Sequence, residues 1–399
     1  MWRLVYKRLK VKGNLHFSFE FFGGVIMIKR YLITLIIVCS LVLTVNAIAL
    51  AYPQLSAQAA ILMDVETGQI LYQKNIHQRR APASTTKIMT GILAIENGNL
   101  SDKVTASKRA AYEGGSSIYL VPDETLTLEE MVYGLLLKSG NDAAVAIAEH
   151  IGGSVENFAK LMNLKAREVG ALHTTFKNPN GLPQEGHLTT AYDLAQVARY
   201  ALQNPIFAKV VSTKKKRIEW PGHSWDRILS NTNKLLTRSD IVDGVKTGYT
   251  RAAGRCLVSS ATKNGQQLVS VVLKSGAMWN ESLALLNYGF NRYQKVEVIA
   301  KGEEVHQIFI HEQKIKLKAA KEFNYVLPKG SSTKIKKVID VKNDITLPIK
   351  KGEKLGNIAL YDKDDNLLDR IDLISDRYVE DSAVNNFWKK LSAEIQIYF

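Results

Sequence analysis

Two apolar runs near the start of the chain's folded part, Ala59-Ala60-Ile61-Leu62-Met63-Asp64 and Gln69-Ile70-Leu71-Tyr72, flank Glu66-Thr67-Gly68 and read as a hairpin. After Ser84, residues Ile88, Met89, Ile92, Leu93 and Ile95 recur on one helical face, and Asn97-Gly98 stops that helix. Thr127-x-x-Glu130 is a capping box that opens a helix through Met131, Leu135 and Leu136. That helix stops near Ser139-Gly140, and another runs from Asp142 to His150. Residues 155–168 and 191–202 carry the same amphipathic period, the second opened by Thr190-x-x-Asp193. Apolar runs at 256–261 and 267–273 then flank Asn264-Gly265, a strong hairpin signal. Strands, then helices, then strands is the order of a sheet built from both chain ends with helices packed against it.

From about Val296 short alternating runs lie between Gly, Asn and Asp turns: 307–310, 314–317, 334–336 and 370–373. They read as a small all-β module of roughly 80 residues. The last twenty residues return to helical period. Val384, Phe387, Trp388, Leu391, Ile395 and Tyr398 share one face, opposite Asn385, Asn386, Lys389, Lys390 and Ser392. An aromatic-rich apolar face beside lysines suits a helix lying in a membrane surface. The alternative is a terminal helix packed on its own domain.

At the other end, Lys29 and Arg30 precede an apolar run from Tyr31 to about Val45, and Ala49-Leu50-Ala51 supplies small residues. Basic, apolar and small residues in that order read as a secretory signal cleaved near Ala51, with an uncleaved anchor as the alternative. A second basic stretch precedes Met27, and Gly23-Gly24, encoded by GGN-GGN, resembles a ribosome-binding site just upstream of it. Translation is therefore expected to begin at Met27. The expected organisation is a signal region over 1–51, a catalytic domain over 52–293, a β-rich domain over 294–378 and a membrane-association helix over 379–399.

The chain has 399 residues, 23% of them charged, which argues against disorder and suits two or three domains. Its formal net charge is +15, and loss of seven Lys/Arg and one acid with residues 1–51 leaves +9. A basic surface suits anionic lipid or wall polymers. Nucleic acid is disfavoured as a partner, because export argues against it and no nucleic-acid motif is present. Of the two cysteines, Cys39 lies in the signal, preceded by Val38 rather than a small residue, which disfavours lipoprotein processing. Cys256 then remains without a partner for a disulfide.

Three short patterns could carry chemistry. Ser84-Thr85-Thr86-Lys87 sits at an expected helix start, where positions i and i+3 share a face and the serine feels the positive end of the dipole. A lysine serves as base there only if burial or a nearby cation depresses its ammonium. Ser139-Gly140-Asn141 falls in a helix-to-helix turn, able to hold a hydroxyl as proton shuttle and an amide as donor. Lys246-Thr247-Gly248 lies on an expected edge strand, where an extended peptide can dock and Lys and Thr can hold a carboxylate. Gly248 permits close backbone approach. Alone, each pattern is as readily a cap, a turn or a surface strand end.

Together they appear in the order nucleophile, shuttle, carboxylate clamp, and the chain resembles the serine D-alanyl-D-alanine carboxypeptidases, the low-molecular-mass penicillin-binding proteins. Residues 83–90, 137–144, 178–182 with His187, 231–236 and 244–250 also carry the resemblance. It implies a penicillin-recognising serine-transferase fold of α/β (α+β) type. This is an antiparallel sheet with helices on both sides, followed by a small all-β sandwich domain. It further implies Ser84 as nucleophile, Lys87 as base, Ser139 as relay and Asn141 as a substrate-amide contact. Lys246, Thr247 and Gly248 would bind the substrate's terminus, and the backbone N–H groups of Ser84 and Tyr249 would form the oxyanion hole. The substrate would be peptidoglycan stem peptides ending in D-Ala-D-Ala, with β-lactams as covalent inhibitors and no cofactor or metal. Localisation at the outer face of the cytoplasmic membrane goes with it. Relatives often carry His at Tyr249, and Arg at the position of Met278, where it assists carboxylate binding.

A class A β-lactamase shares the first and third patterns, but needs a Glu placed with an Asn to activate deacylating water. None of Glu149, Glu156, Glu168, Glu185 and Glu219 stands in a Glu-x-x-Leu-Asn context. A metal hydrolase is disfavoured by eight scattered histidines, and His187 is expected to be structural. A catalytically silent wall-binding protein is the remaining alternative.

Overall fold

The computed structural model describes residues 32–35, 53–310, 313–331, 335–380, 387 and 391. The expected signal region lies outside these apart from 32–35, one exposed helical turn. The helix expected over 379–399 does not begin at its first residue: Val379 is buried in the β-domain core and bridged to Ile349, Glu380 is not helical, and of the later residues only Phe387 and Leu391 are described, both helical. Among the described residues no helix is long and apolar enough to cross a membrane.

Strands β1 (Ala59–Asp64) and β2 (Ile70–Lys74) form the first hairpin. The helices of eight residues or more among the described residues are α1 (Lys87–Asn97), α2 (Leu128–Leu137), α3 (Asn141–Gly152), α4 (Val155–Glu168), α5 (Ala191–Leu202), α6 (Pro205–Ser212) and α7 (Met278–Arg292). Short ribbons pair β3 (Lys103–Thr105) with β4 (Thr125–Thr127), and β5 (Lys215–Ile218) with β6 (Arg227–Ser230). Strands β7 (Val242–Thr250), β8 (Gly254–Lys263) and β9 (Gln266–Leu273) complete an antiparallel sheet of order β2-β1-β9-β8-β7. Strand β1 thus lies beside β9, and β7 is an edge.

Every residue of β1 is buried, because both faces of the sheet are covered. Ala59, Ile61 and Met63 join Val258, Val269 and Val271 in a core shared with α1 to α5. Ala60 and Leu62 join Leu257, Leu268 and Val272 against Leu285, Leu286 and Phe290 of α7. The period-2 alternation of side chains divides the strand between two cores, which is why it reads as a continuous apolar run.

Local signals act as expected. Thr127 and Glu130 form the reciprocal capping box, and Thr190 accepts from the Asp193 N–H. Asn264 and Gly265 both take positive φ (51° and 74°), as a type I′ turn requires. Of these longer helices, α6 and α7 are not among the expected ones. α6 is announced by Asn204, whose side chain caps it, and by Pro205 in its first turn. α7 follows an uncapped residue, Ala277.

Past α7, β10 (Tyr293–Ile299) pairs with β13 (Phe323–Pro328). β11 (Glu304–Ile310), β12 (Gln313–Ala319), β14 (Lys336–Val341), β15 (Lys354–Tyr361) and β16 (Leu367–Ser375) form a sheet of order β11-β12-β16-β15-β14. Its core includes Ile315, Leu317, Ile358, Leu360, Ile371 and Leu373. The strand expected at 334–336 instead begins at Lys336, and Lys334 is outside the described residues. Val326 of β13 packs into the α7-side core, and Lys295 of β10 pairs with Glu66 at 2.7 Å.

Candidate active site

Ser84 does not begin an α-helix. Residues Ala83–Thr86 form a 3₁₀ turn, and α1 starts at Lys87. Ala83 takes a positive φ (50°), outside the α-helical region, and the turn is tightly packed. Strand β7 passes so close that a Cβ on Gly248 would lie 3.1 Å from the Ser84 nitrogen. On the other side, the loop before α5 brings Gly181 (φ +85°) so near that a Cβ there would sit 1.9 Å from the Ala83 carbonyl oxygen. The expected close approach at Gly248 is therefore present, and a second such glycine flanks the same turn. Ser84 itself is half-buried and reachable.

Lys87 is 0% exposed, its amine 3.2 Å from Ser84 Oγ. The amine also donates to Asn141 Oδ1 and to the Asn180 carbonyl, both at 2.6 Å. Burial first, then the nearby Lys246 ammonium, pushes the Lys87 amine well below the ordinary lysine range, while Asp142 and Glu113 pull the other way. Lys246 is 1% exposed and hydrogen-bonds to the Thr247 carbonyl at 3.1 Å. Burial brings its amine down to about 7. Two buried lysines close enough to influence each other are costly in a protein interior, an arrangement common at sites that do chemistry. A serine hydroxyl touching a lysine amine held in its neutral form can lose its proton to that amine.

The Ser139-Gly140-Asn141 turn links α2 to α3, with Ser139 buried and at φ +65°. Its hydroxyl makes no hydrogen bond to Ser84, Lys87 or Lys246 among the described residues. Asn141 is engaged at both ends, since Nδ2 donates to the Gly114 carbonyl at 2.6 Å while Oδ1 holds Lys87. Buried Asp142 secures the neighbouring loop by accepting from Ser117 Oγ at 2.5 Å and from the Ile118 and Leu120 nitrogens at 3.0 and 3.1 Å. Thr247 meets Thr232, hydroxyl to hydroxyl, at 2.9 Å. The Tyr249 ring is 64% exposed. Met278 packs against the α7-side core.

Sequence reasoning assigned no role to the Asn180 carbonyl, Asp142 or Thr232. A main-chain acceptor leaves no side-chain signature, and the Asn180-Gly181 pair was visible only as a matching stretch. His187 is structural as expected: its Nδ1 accepts from the Lys177 N–H at 3.1 Å, so Nε2 carries the proton and donates to Thr86 Oγ1 at 2.9 Å. Both ring nitrogens are occupied. Among the described residues no group of three His, Cys, Asp or Glu could hold a metal ion.

Residues 46–277 match the family model described as D-alanyl-D-alanine carboxypeptidase, and residues 293–381 match the penicillin-binding protein 5 C-terminal domain. The chain is 39% identical to D-alanyl-D-alanine carboxypeptidase DacF of Bacillus subtilis, over 76% of this chain and 81% of that one. It is 34% identical to DacD of Escherichia coli, over 78% and 84%. The crystal structure of penicillin-binding protein 5 from Haemophilus influenzae superposes with a TM-score of 0.70 at 30% identity, covering 83% of this chain and 99% of that one. On the family match, these identities and the shared fold, the chain belongs to the D-alanyl-D-alanine carboxypeptidases.

Proposed function

We propose that Ser84 carries the D-alanyl-D-alanine carboxypeptidase activity of this penicillin-binding enzyme, with Lys87 as its base. The observation that carries the assignment is the fully buried Lys87 amine 3.2 Å from Ser84 Oγ, depressed by burial and by Lys246. Lys87 takes the hydroxyl proton as Oγ attacks the carbonyl between the two D-alanines of a peptidoglycan stem peptide. The backbone N–H groups of Ser84 and Tyr249 hold the oxyanion, each such donor typically contributing ~3 kcal/mol. The C–N bond then breaks, and the departing D-alanine amine receives the proton through Ser139. Water attacks the resulting ester, releasing the shortened stem and restoring the hydroxyl.

Lys246 and Thr247 hold the terminal carboxylate, Gly248 lets β7 lie against the Ser84 turn, and Asn141 orients both Lys87 and the substrate amide. Asn141 Nδ2 keeps one N–H on the Gly114 carbonyl and has a second N–H to offer the substrate amide. The protein acts outside the cytoplasmic membrane, exported by the 29–51 segment and held at the outer face by the amphipathic segment that follows Glu380. Support for this location is the order of basic, apolar and small residues in the first segment and the two-faced pattern of the second.

Fluorescent penicillin and a peptide ending in D-Ala-D-Ala test the chemistry with wild type and Ser84→Ala. Covalent label and free D-alanine from wild type alone are the expected result. Rapid release of hydrolysed penicillin points to a β-lactamase, and neither signal points to a silent wall binder.

A further inference from the structure

The segment joining β6 to the short helix Leu235–Arg238 is fastened from several directions. Asn231 Nδ2 donates to the Val211 and Thr213 carbonyls at 3.2 and 3.0 Å. Asn233, itself buried, donates from Nδ2 to the Gly244 carbonyl at 2.8 Å and from its N–H to Asn231 Oδ1 at 2.9 Å. Between these two asparagines the Thr232 N–H donates to the Leu137 carbonyl at 3.0 Å, two residues before Ser139. The backbone of Thr232 is thus tied to α2, α6 and β7, yet its side chain is exposed. A rigid frame presents one hydroxyl, and that hydroxyl lies 2.9 Å from Thr247 Oγ1.

Two adjacent hydroxyls satisfy each other only in part, because in any arrangement one proton serves the pair and the other is free. An ionised carboxylate has two acceptor oxygens and no donor. When it arrives, both hydroxyls can turn their protons outward, exchanging one neutral bond for two charge-assisted ones, each roughly twice as strong. Lys246 supplies charge beside them while one of its N–H groups donates to the Thr247 carbonyl, and the two hydroxyls add directed donors to that charge.

We propose that Thr232 is a second carboxylate-binding hydroxyl, paired with Thr247, and that the pair sets the enzyme's preference for a substrate with a free C-terminal carboxylate. The inference rests on the D-Ala-D-Ala carboxypeptidase reading and adds a substrate contact that the three sequence patterns do not contain.

The test compares a peptide ending in D-Ala-D-Ala as free acid with the same peptide as C-terminal amide. Wild type, Thr232→Val and Thr232→Ser are compared, the valine keeping shape without the hydroxyl. The expected result is that Thr232→Val lowers the free-acid/amide ratio of kcat/KM about tenfold, mainly through KM for the acid. Thr232→Ser should restore the ratio to within about threefold of wild type. Equal losses on both peptides, or an unchanged ratio, would overturn the proposal while leaving the enzymatic reading intact. No turnover by wild type would overturn that reading and the proposal with it. Penicillin labelling of Ser84 in each variant reports whether the site is folded.

Discussion

The amine of Lys87 lies 2.6 Å from the carbonyl oxygen of Asn180, 93 residues further along the chain. A main-chain carbonyl cannot be deleted by substitution, but its position depends on Gly181, the next residue. Gly181→Ala forces a Cβ to within 1.9 Å of the Ala83 oxygen at φ +85°, so the loop and the Ser84 turn must separate. Acylation by penicillin should slow at least about tenfold, with stability lowered by about 2 kcal/mol or more. Gly186→Ala is the control. It lies in the same loop at φ +75°, but its Cβ meets only the flexible end of Lys177 at 3.3 Å. That variant should lose ~1 kcal/mol and acylate normally. Equal acylation defects in both would show that the loop's contact with Ala83 is not what matters.

The two buried lysines set opposite limbs of the pH profile. On the proposed mechanism acylation requires neutral Lys87, so the rate should rise as that amine loses its proton, and burial with Lys246 moves this limb well below 10.5. On the same mechanism carboxylate binding favours charged Lys246, whose amine burial brings down to about 7, so the rate should fall above that pH. Lys246→Gln removes the second-largest influence on Lys87, and the acid limb should move to higher pH as well as the maximum falling. Lys87→Gln should lower acylation roughly 10²–10⁴-fold at every pH. The rate of fluorescent-penicillin labelling between pH 5 and 10 reads both, and an unmoved acid limb in Lys246→Gln would count against the coupling.

Much of this was legible in the chain where a local rule suffices. Thr127 and Glu130, Asn264 and Gly265, and Thr190 each fix an element by chemistry within four residues. Ser84, Lys87, Ser139, Asn141 and Lys246 were recognisable as an ordered set. What escaped depends on tertiary contact. The 3₁₀ turn at Ser84 lies against Gly248 and Gly181, which come from β7 and from the loop before α5. Helix α7 begins without a side-chain cap, so its start left no polar signature. Thr232 looks like any exposed threonine until β7 brings Thr247 beside it, and Asp142 looks like a first-turn acid until the 114–120 loop folds over it.

Asp142 is fully buried with no cationic partner in direct contact among the described residues, and it accepts from the backbone N–H groups of Ile118, Leu120 and Ala143 and from the Ser117 hydroxyl. Asp142→Ala strands these donors and should cost about 2–4 kcal/mol. Because the same loop carries Gly114, which accepts from Asn141, acylation should also slow. Asp142→Asn keeps the shape and two acceptor lone pairs, so it should recover part of the stability. Urea unfolding of the three proteins measures this, and equal stability of wild type and Asp142→Ala would refute it.

Burial, with a smaller contribution from Lys177, lowers His187 from 6.5 to about 4, so its ring stays neutral while joining Thr86 to Lys177. Between pH 6.5 and 4 the unfolded chain binds a proton at this residue that the folded chain does not. Stability therefore falls as pH falls through that window, and the loss is complete below about 4. A shift of this size corresponds to on the order of 3 kcal/mol. His187→Gln has no ring to titrate but retains a donor and an acceptor for the same two neighbours. Its stability at neutral pH should be somewhat lower than that of wild type, whereas its decline between pH 6.5 and 4 should be smaller by roughly that amount. Urea midpoints across the window separate the two effects, because a purely steric role for His187 would shift the whole curve and leave its slope unchanged. The Ser84 turn rests on Thr86, so wild type should lose penicillin labelling in parallel with the fall in stability, and the glutamine variant should retain it to lower pH.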